Sequence, residues 1–199
     1  MKIYKKLATS AYKTVLQRPA LDVTMLFDTV KNILTDIKTN GDAAVRKYAA
    51  KFDKVELTDF LVSEKEIQEA ANQLDASLKK AILTAKKNIE TFHNAQKSEV
   101  EVVETMPGVS CWRKSVGIEK VGLYVPGGTA PLFSTVLMLG VPAKLAGCNQ
   151  IVLCSPPTTG GNIHPAVIFA AKTVGVTHIV KLGGVQAIGA MAYGTRICA

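Results

Sequence analysis

The sequence predicts an α/β protein in which a mostly helical N-terminal region with a β-hairpin is followed by a Rossmann-like parallel α/β unit. Three observations predict it. From Val23 to Phe92 apolar residues recur at steps of three and four among Lys, Asp and Glu, which is the spacing of helix faces. From Ile118 onward charged residues become scarce and short β-branched runs alternate with longer runs of small apolar residues, as in the strand–helix–strand units of a parallel sheet. Between the two, polarity alternates from Val100 to Trp112 about a Pro-Gly turn.

Val23, Leu26, Phe27, Val30, Ile33, Leu34 and Ile37 define the first helix, with Asp22 as its N-cap and Asn40-Gly41 as its stop. Asp42 is expected to cap a second helix through Val45, Tyr48 and Ala49 that ends near Phe52. Ser63 and Glu66 stand at capping-box spacing ahead of Ile67, Ala70, Ala71 and Leu74, which gives a third helix. Leu78, Ile82, Ala85, Ile89 and Phe92 alternate steps of four and three on a fourth. That narrow apolar seam suits either another helix of the same chain or a second subunit. Val100 and Val102 alternate with Glu99, Glu101 and Glu104, and Met106-Pro107-Gly108 turns the chain into Val109–Trp112, a β-hairpin. No linker rich in Ser, Gly or Pro follows, so the boundary between residues 1–117 and 118–199 is a composition shift near Ser115 to Gly117.

In the second part, strands are expected at Lys120–Val125, Gln150–Cys154 and His178–Leu182, and helices at Leu132–Ala146, Pro165–Val174 and Gln186–Tyr193. The strands are continuously apolar rather than alternating, which predicts a sheet covered on both faces.

An apolar content of 48% over 199 residues is enough to build a core. No apolar run is long enough to cross a bilayer, and Met1 to Lys6 lacks the apolar stretch of a secretory signal, so a cytoplasmic protein is expected. The net charge of +8 invites a nucleic-acid reading, but Lys65, Lys79, Lys86 and Lys87 are interspersed with Asp and Glu along helices, the pattern of a solvated face. No nucleic-acid or membrane partner is expected. The cysteines, Cys111, Cys148, Cys154 and Cys198, form no C-x-x-C pair and have no His at zinc-finger spacing. Cys148 and Cys154 read as small hydrophobes, with a thiolate that traps an aldehyde as the alternative. His93, His164 and His178 share no i, i+4 spacing and read as surface or capping groups, and no G-x-S-x-G motif is present. No catalytic residue and no metal ligand is assigned.

Two Gly-Gly pairs fall at predicted strand ends, Gly127-Gly128 and Gly183-Gly184, where open parallel sheets bind ligands. Such a pair lets the backbone approach a ligand closely, and the helix that follows offers free N–H groups to an anion such as pyrophosphate. A tight strand-to-helix turn needs glycine as well. The G-x-G-x-x-G fingerprint of dinucleotide sites is absent.

Four segments, Gly122-Leu123-Tyr124-Val125-Pro126-Gly127-Gly128, Met138 to Cys148, Ile151 to Pro157 and Leu182-Gly183-Gly184-Val185-Gln186-Ala187-Ile188, together resemble histidinol dehydrogenase. The resemblance extends to Tyr193-Gly194-Thr195 and covers nearly the whole chain, but only about the first half of a typical family member. It implies the zinc-assisted oxidation of L-histidinol through an aldehyde to L-histidine with two NAD, in a homodimer. By the same resemblance, Tyr124 and Gln186 match a Tyr and a Gln that contact NAD. The family's third cofactor contact, the Asn of a G-P-G-N motif, lies downstream of the residues present here. So do its Glu-His acid–base pair and its zinc ligands, a Gln, two His and an Asp. The resemblance therefore implies a partial NAD site and no zinc in this chain. Val185 stands where Ala is usual, Gly189 replaces another small residue, and Arg196-Ile197-Cys198-Ala199 departs from the family pattern. A truncated dehydrogenase, inactive alone, is the expectation, with a non-catalytic nucleotide-binding or dimerisation module as the alternative.

Overall fold

The computed structural model describes residues 3–18, 22–128 and 130–198, so expectations resting on Met1, Lys2 and Ala199 lie outside the described residues. Helices α1 (Thr9–Val15) and α2 (Thr24–Tyr48) lead into a π-turn at Ala49–Asp53, then into α3 (Glu64–Gln73) and α4 (Ala76–Asn94). The hairpin strands β1 (Val102–Met106) and β2 (Val109–Trp112) follow. The chain then alternates through β3 (Lys120–Tyr124), α5 (Phe133–Leu145), β4 (Gln150–Ser155), α6 (Pro165–Val174), β5 (His178–Lys181) and α7 (Gly184–Tyr193).

Strands β3, β4 and β5 form a parallel sheet in chain order, with Gly122 opposite Val152 and Leu153 opposite Ile179. Because successive strand residues point to opposite faces, the apolar run of β4 serves two cores. Ile151 and Leu153 join Ile179 in a cluster with α3, α4, α5 and α6, while Val152 and Cys154 join Val180 in a cluster with α2 and α7. Both faces are covered, which is why the strands read as continuously apolar. The helices before residue 117 thus supply part of both clusters around the sheet that follows residue 118.

One further backbone segment extends the sheet. The Val62 N–H donates to the Ile179 carbonyl at 2.8 Å, and the Lys181 N–H donates to the Phe60 carbonyl at 2.7 Å, placing Phe60–Val62 antiparallel along the free edge of β5. Three residues carry no periodic signal, so this edge pairing is absent from the sequence-based expectations.

The expected stop at Asn40-Gly41 bends the helix instead of ending it. Gly41 has φ +54° and ψ −131° inside α2, and regular helix resumes after it. Asp36 clamps the bend: its carboxylate accepts from Lys47 Nζ at 2.8 Å and Tyr48 Oη at 2.8 Å beyond the bend, and from Asn40 Nδ2 at 2.7 Å before it. Asp42 does not cap a helix start but accepts the Ile197 N–H at 3.3 Å. Asp22 is not the N-cap, which is Val23; it lies one residue earlier and accepts the Thr24 N–H at 3.0 Å. The Ser63–Glu66 capping box is fully formed, with the Glu66 N–H donating to Ser63 Oγ at 3.2 Å and the Ser63 N–H donating to Glu66 Oε2 at 2.8 Å.

The seam on α4 faces this chain's own helices. Ile82 is 1% exposed, and Leu78, Ala85 and Ile89 pack around the same cluster as α5 and α6, so the seam is not free for a second subunit. Phe92 lies outside it, exposed. Only the later part of the predicted α2 face enters the core, through Ile33 and Ile37. Val23, Leu26 and Phe27 are exposed and line, with Tyr193, a hollow of about 520 Å³. The hairpin forms as expected, pairing Val102 with Trp112, and both of its strands are exposed throughout.

Candidate functional site

The loop after β3 runs from Val125, whose N–H continues the ladder to the Cys154 carbonyl at 3.0 Å, through Pro126, Gly127 and Gly128 toward α5. The loop after β4 carries Pro156, Pro157 and Thr158. Between them lies a cleft of about 500 Å³ whose other walls include Phe52, Asp53, Ile163, His164 and Val167. It opens beyond the carboxyl ends of β3 and β4, the place where open parallel sheets receive ligands.

Local sequence explains each wall. A Cβ on Gly127 would stand 2.7 Å from Pro156 Cγ, so only glycine lets the first loop lie on the proline of the second. Gly128 meets no described atom within 4 Å at its Cβ position and faces open space in the cleft. Leu132 at the N-cap of α5 offers no side-chain cap, and while the Thr135 N–H turns back to the Leu132 carbonyl at 3.1 Å, the Phe133 and Ser134 N–H groups have no acceptor among the described residues and are available to an anion. His164 is a capping group, as expected: its Nδ1 accepts the Ala166 N–H at 3.1 Å at the start of α6.

The second Gly-Gly pair is arranged differently, which corrects the expectation that both pairs present free N–H groups. The Gly183 N–H donates to Asp53 Oδ2 at 3.2 Å and the Gly184 N–H donates to Tyr124 Oη at 3.0 Å. Gln186 Nε2 donates to the same Asp53 oxygen at 3.0 Å. The leading donors of α7 are therefore already bound, and the Asp53 carboxylate rather than an external anion sits at the positive end of the helix dipole.

Tyr124 and Gln186, the two expected cofactor contacts, are brought together around this second loop, and neither lines the cleft itself. Tyr124 is half-buried and its hydroxyl proton is not committed by the bond it accepts from Gly184. Gln186 is 1% exposed, and its Oε1 finds no hydrogen-bond partner among the described residues. Asp53 connects both regions, since it lines the cleft and holds Gln186. Sequence reasoning missed it because its partners lie 130 and 133 residues away and no local motif marks it.

The remaining histidines are engaged locally, His93 Nδ1 with Gln96 Oε1 at 2.8 Å and His178 Nδ1 with Thr177 Oγ1 at 3.0 Å. Among the described residues no group of three or more His, Cys, Asp or Glu is placed to hold a metal ion. The side chains present do not fit a zinc site. Cys148 and Cys154 are both buried, at 5% and 0% exposure, and pack as small hydrophobes. The Cys198 thiol 3.9 Å away, together with burial, pushes the Cys154 thiol up from its usual range, which removes the aldehyde-trapping thiolate alternative there. A wider hollow of about 670 Å³ lies beside the hairpin, lined by residues between Ser98 and Ser115 and by none of the parallel sheet. Topology, not size, therefore locates the site. Among the described residues no helix is long and apolar enough to cross a membrane.

A parallel sheet with helices on both faces and a glycine loop opening a cleft at its strand ends defines a Rossmann-like α/β unit. Comparison with known proteins narrows the class. The sequence profile of histidinol dehydrogenase matches residues 16–199. The chain is 57% identical over 196 residues to the histidinol dehydrogenase of Bacteroides fragilis, covering 98% of this chain and 46% of that protein. It is 58% identical to that of Bacteroides thetaiotaomicron, with the same coverage. The crystal structure of histidinol dehydrogenase from Elizabethkingia anophelis matches with a TM-score of 0.92 at 47% identity, over 98% of this chain and 45% of that one. The chain belongs to the histidinol dehydrogenase family and spans about half the length of the curated relatives it matches.

Proposed function

We propose that the chain forms the NAD-cleft portion of a cytoplasmic, homodimeric histidinol dehydrogenase, contributing to oxidation of L-histidinol to L-histidine. The observation that carries this reading is the open cleft at the β3 and β4 strand ends in a chain of this family. NAD, when bound, supplies the hydride acceptor for each oxidation.

This chain's own residues bind, orient and exclude water. The uncapped first turn of α5 would face the pyrophosphate, and Gly128 would let the backbone approach it. Pro126, Pro131, Pro156, Ile163 and Val167 wall the cleft with apolar surface. Tyr124 and Gln186 are proposed as cofactor contacts. In support, Tyr124 retains a free hydroxyl proton, and Gln186 Oε1 is a buried acceptor with no described partner. The described residues supply no set of zinc ligands. The acid–base pair and the metal ligands are proposed to come from outside this chain, which is therefore proposed to be inactive alone.

Titration calorimetry with NAD tests the cleft. An added Cβ at Gly128 meets no described atom within 4 Å, so Gly128→Val projects a side chain into the cleft. NAD binding should weaken at least about tenfold, equivalent to about 1.4 kcal/mol, with an unchanged melting temperature. Equal affinity for wild type and variant would overturn the cleft assignment. Zinc-dependent NADH formation from histidinol by the pure chain would overturn the proposed lack of turnover.

A further inference from the structure

Cys154 lies in the central strand β4 with its side chain in the cluster formed with α2 and α7, and it is fully buried. Cys198 lies in the turn after α7 and packs, partly buried, against the same cluster. Their sulfurs are 3.9 Å apart, although 44 residues separate them in the chain. The other cysteines stand elsewhere: Cys148 is buried in the opposite cluster, and Cys111 is exposed on the hairpin.

We propose that Cys154 and Cys198 are a reversible oxidation site that closes to a disulfide on exposure to a hydroperoxide. A disulfide sulfur pair is about 2.0 Å apart, so the thiols must approach by about 2 Å. The movement falls on the turn carrying Cys198 rather than on the central strand. That turn lies outside regular helix and strand and is held by the Thr195 N–H to the Ala190 carbonyl at 3.1 Å, the Cys198 N–H to the Thr195 carbonyl at 2.9 Å and the Ile197 N–H to Asp42 Oδ1 at 3.3 Å.

The two sulfurs have different parts. The Cys154 thiol 3.9 Å away holds the Cys198 thiol below its usual range, while that contact and burial push the Cys154 thiol up and keep it protonated. The Cys198 thiolate attacks a peroxide oxygen, breaking the O–O bond. Cys198 becomes a sulfenic acid, and the departing hydroxide takes up a proton as water. The Cys154 sulfur then bonds to the Cys198 sulfur as the sulfenic hydroxyl leaves, carrying the Cys154 proton as a second water. Two thiols and one hydrogen peroxide give one disulfide and two waters, with sulfur oxidised and peroxide reduced. The bond closes a loop that contains α6, β5 and α7, which restricts the unfolded chain and raises the melting temperature.

The test treats the full chain, carrying Cys111→Ser to suppress intermolecular bridging, with a small excess of hydrogen peroxide. Non-reducing peptide mapping should find the Cys154 and Cys198 peptides joined, lighter by the two thiol hydrogens. The melting temperature should rise, and dithiothreitol should reverse both changes. Cys198→Ser should abolish the cross-link and the rise, while Cys148→Ser should leave the cross-link intact. Recovery of Cys198 as a sulfinic acid without the cross-link would overturn the proposal, as would cross-linking in the Cys198→Ser chain.

Discussion

The Gln186 side-chain amide donates to Asp53 across 3.0 Å, and the same carboxylate oxygen accepts the Gly183 N–H at 3.2 Å. This single oxygen joins the end of the π-turn to the loop that opens α7. Gly183 is buried and its Cβ position lies 2.5 Å from the other Asp53 oxygen, so the loop backbone and the carboxylate are packed against one another. Asp53 also lines the cleft, which makes it the point where the helical region meets the proposed cofactor site.

Asp53→Ala should destabilise the chain by about 2 kcal/mol, because Gln186 Nε2 and the Gly183 N–H would both lose their acceptor in a buried setting. Asp53→Asn retains an oxygen that can accept both donors and should cost under about 1 kcal/mol. Urea unfolding midpoints check the order. Equal losses for the two variants would show that the accepting oxygen is not what secures the loop.

Lys181 and Glu66 form a pair at 2.8 Å in which the lysine side chain is 9% exposed and the glutamate 27%. That asymmetry predicts unequal consequences. Glu66→Gln preserves an acceptor for the capping box but leaves a buried ammonium without a counter-charge, and should cost about 3 kcal/mol. Lys181→Met replaces the cation with an apolar chain of similar length, and Glu66 keeps its Ser63 bonds and some water, so the cost should stay near 1 kcal/mol. The same unfolding assay distinguishes them, and a costlier lysine variant would reverse the argument.

Asp36 sets an acid limit to the bend in α2. Hydrogen bonds from Lys47, then Asn40 and Tyr48, lower its carboxyl from the usual 3.8 to about 2. A depressed folded-state value means that the stabilisation is fully present above the unfolded value and is lost as pH falls from about 4 through 2. Glu66 adds to the same limb: burial raises its carboxyl, but the Lys181 and Ser63 hydrogen bonds outweigh burial and lower it overall. Stability should therefore fall between pH 4 and 2, and Asp36→Asn should flatten that fall while lowering stability at pH 6. Thermal melts across this range provide the measurement.

What could be read from the residues was local chemistry. The Ser63–Glu66 box, the Pro107-Gly108 hairpin turn and the alternation after Lys120 each act within a few residues, and each appears in the structure. What could not be read was made by distant backbone or by a single glycine. Phe60–Val62 joins β5 through main-chain bonds that any side chain permits. Gly41 reads as a stop, yet the Asp36 clamp carries the helix past it. At the candidate site the first glycine loop was legible as an open turn. The second was not, because the groups that occupy its N–H donors come from Asp53 and from the end of β3.

Gly140 of α5 packs against Val174 of α6, and this contact allows a prediction in which a loss is recovered. A Cβ at this position would stand 2.5 Å from Val174 Cγ2 and 3.3 Å from Val174 Cβ. Alanine has the higher intrinsic helix propensity, by about 1 kcal/mol, so an exposed site would gain from Gly140→Ala. Here the overlap with a buried β-branched side chain wins, and overpacking of this kind costs about 1–3 kcal/mol. The clash involves a side chain, not backbone, so removing that side chain should relieve it. Val174→Ala alone opens a small void and destabilises. The double variant Gly140→Ala, Val174→Ala fills part of that void with the new methyl group and regains the helix propensity. It should therefore be more stable than the sum of the two single losses by about 1 kcal/mol or more. A double-mutant cycle on unfolding free energies measures this coupling, and simple additivity would mean that the helices separate to admit the methyl group instead of meeting Val174.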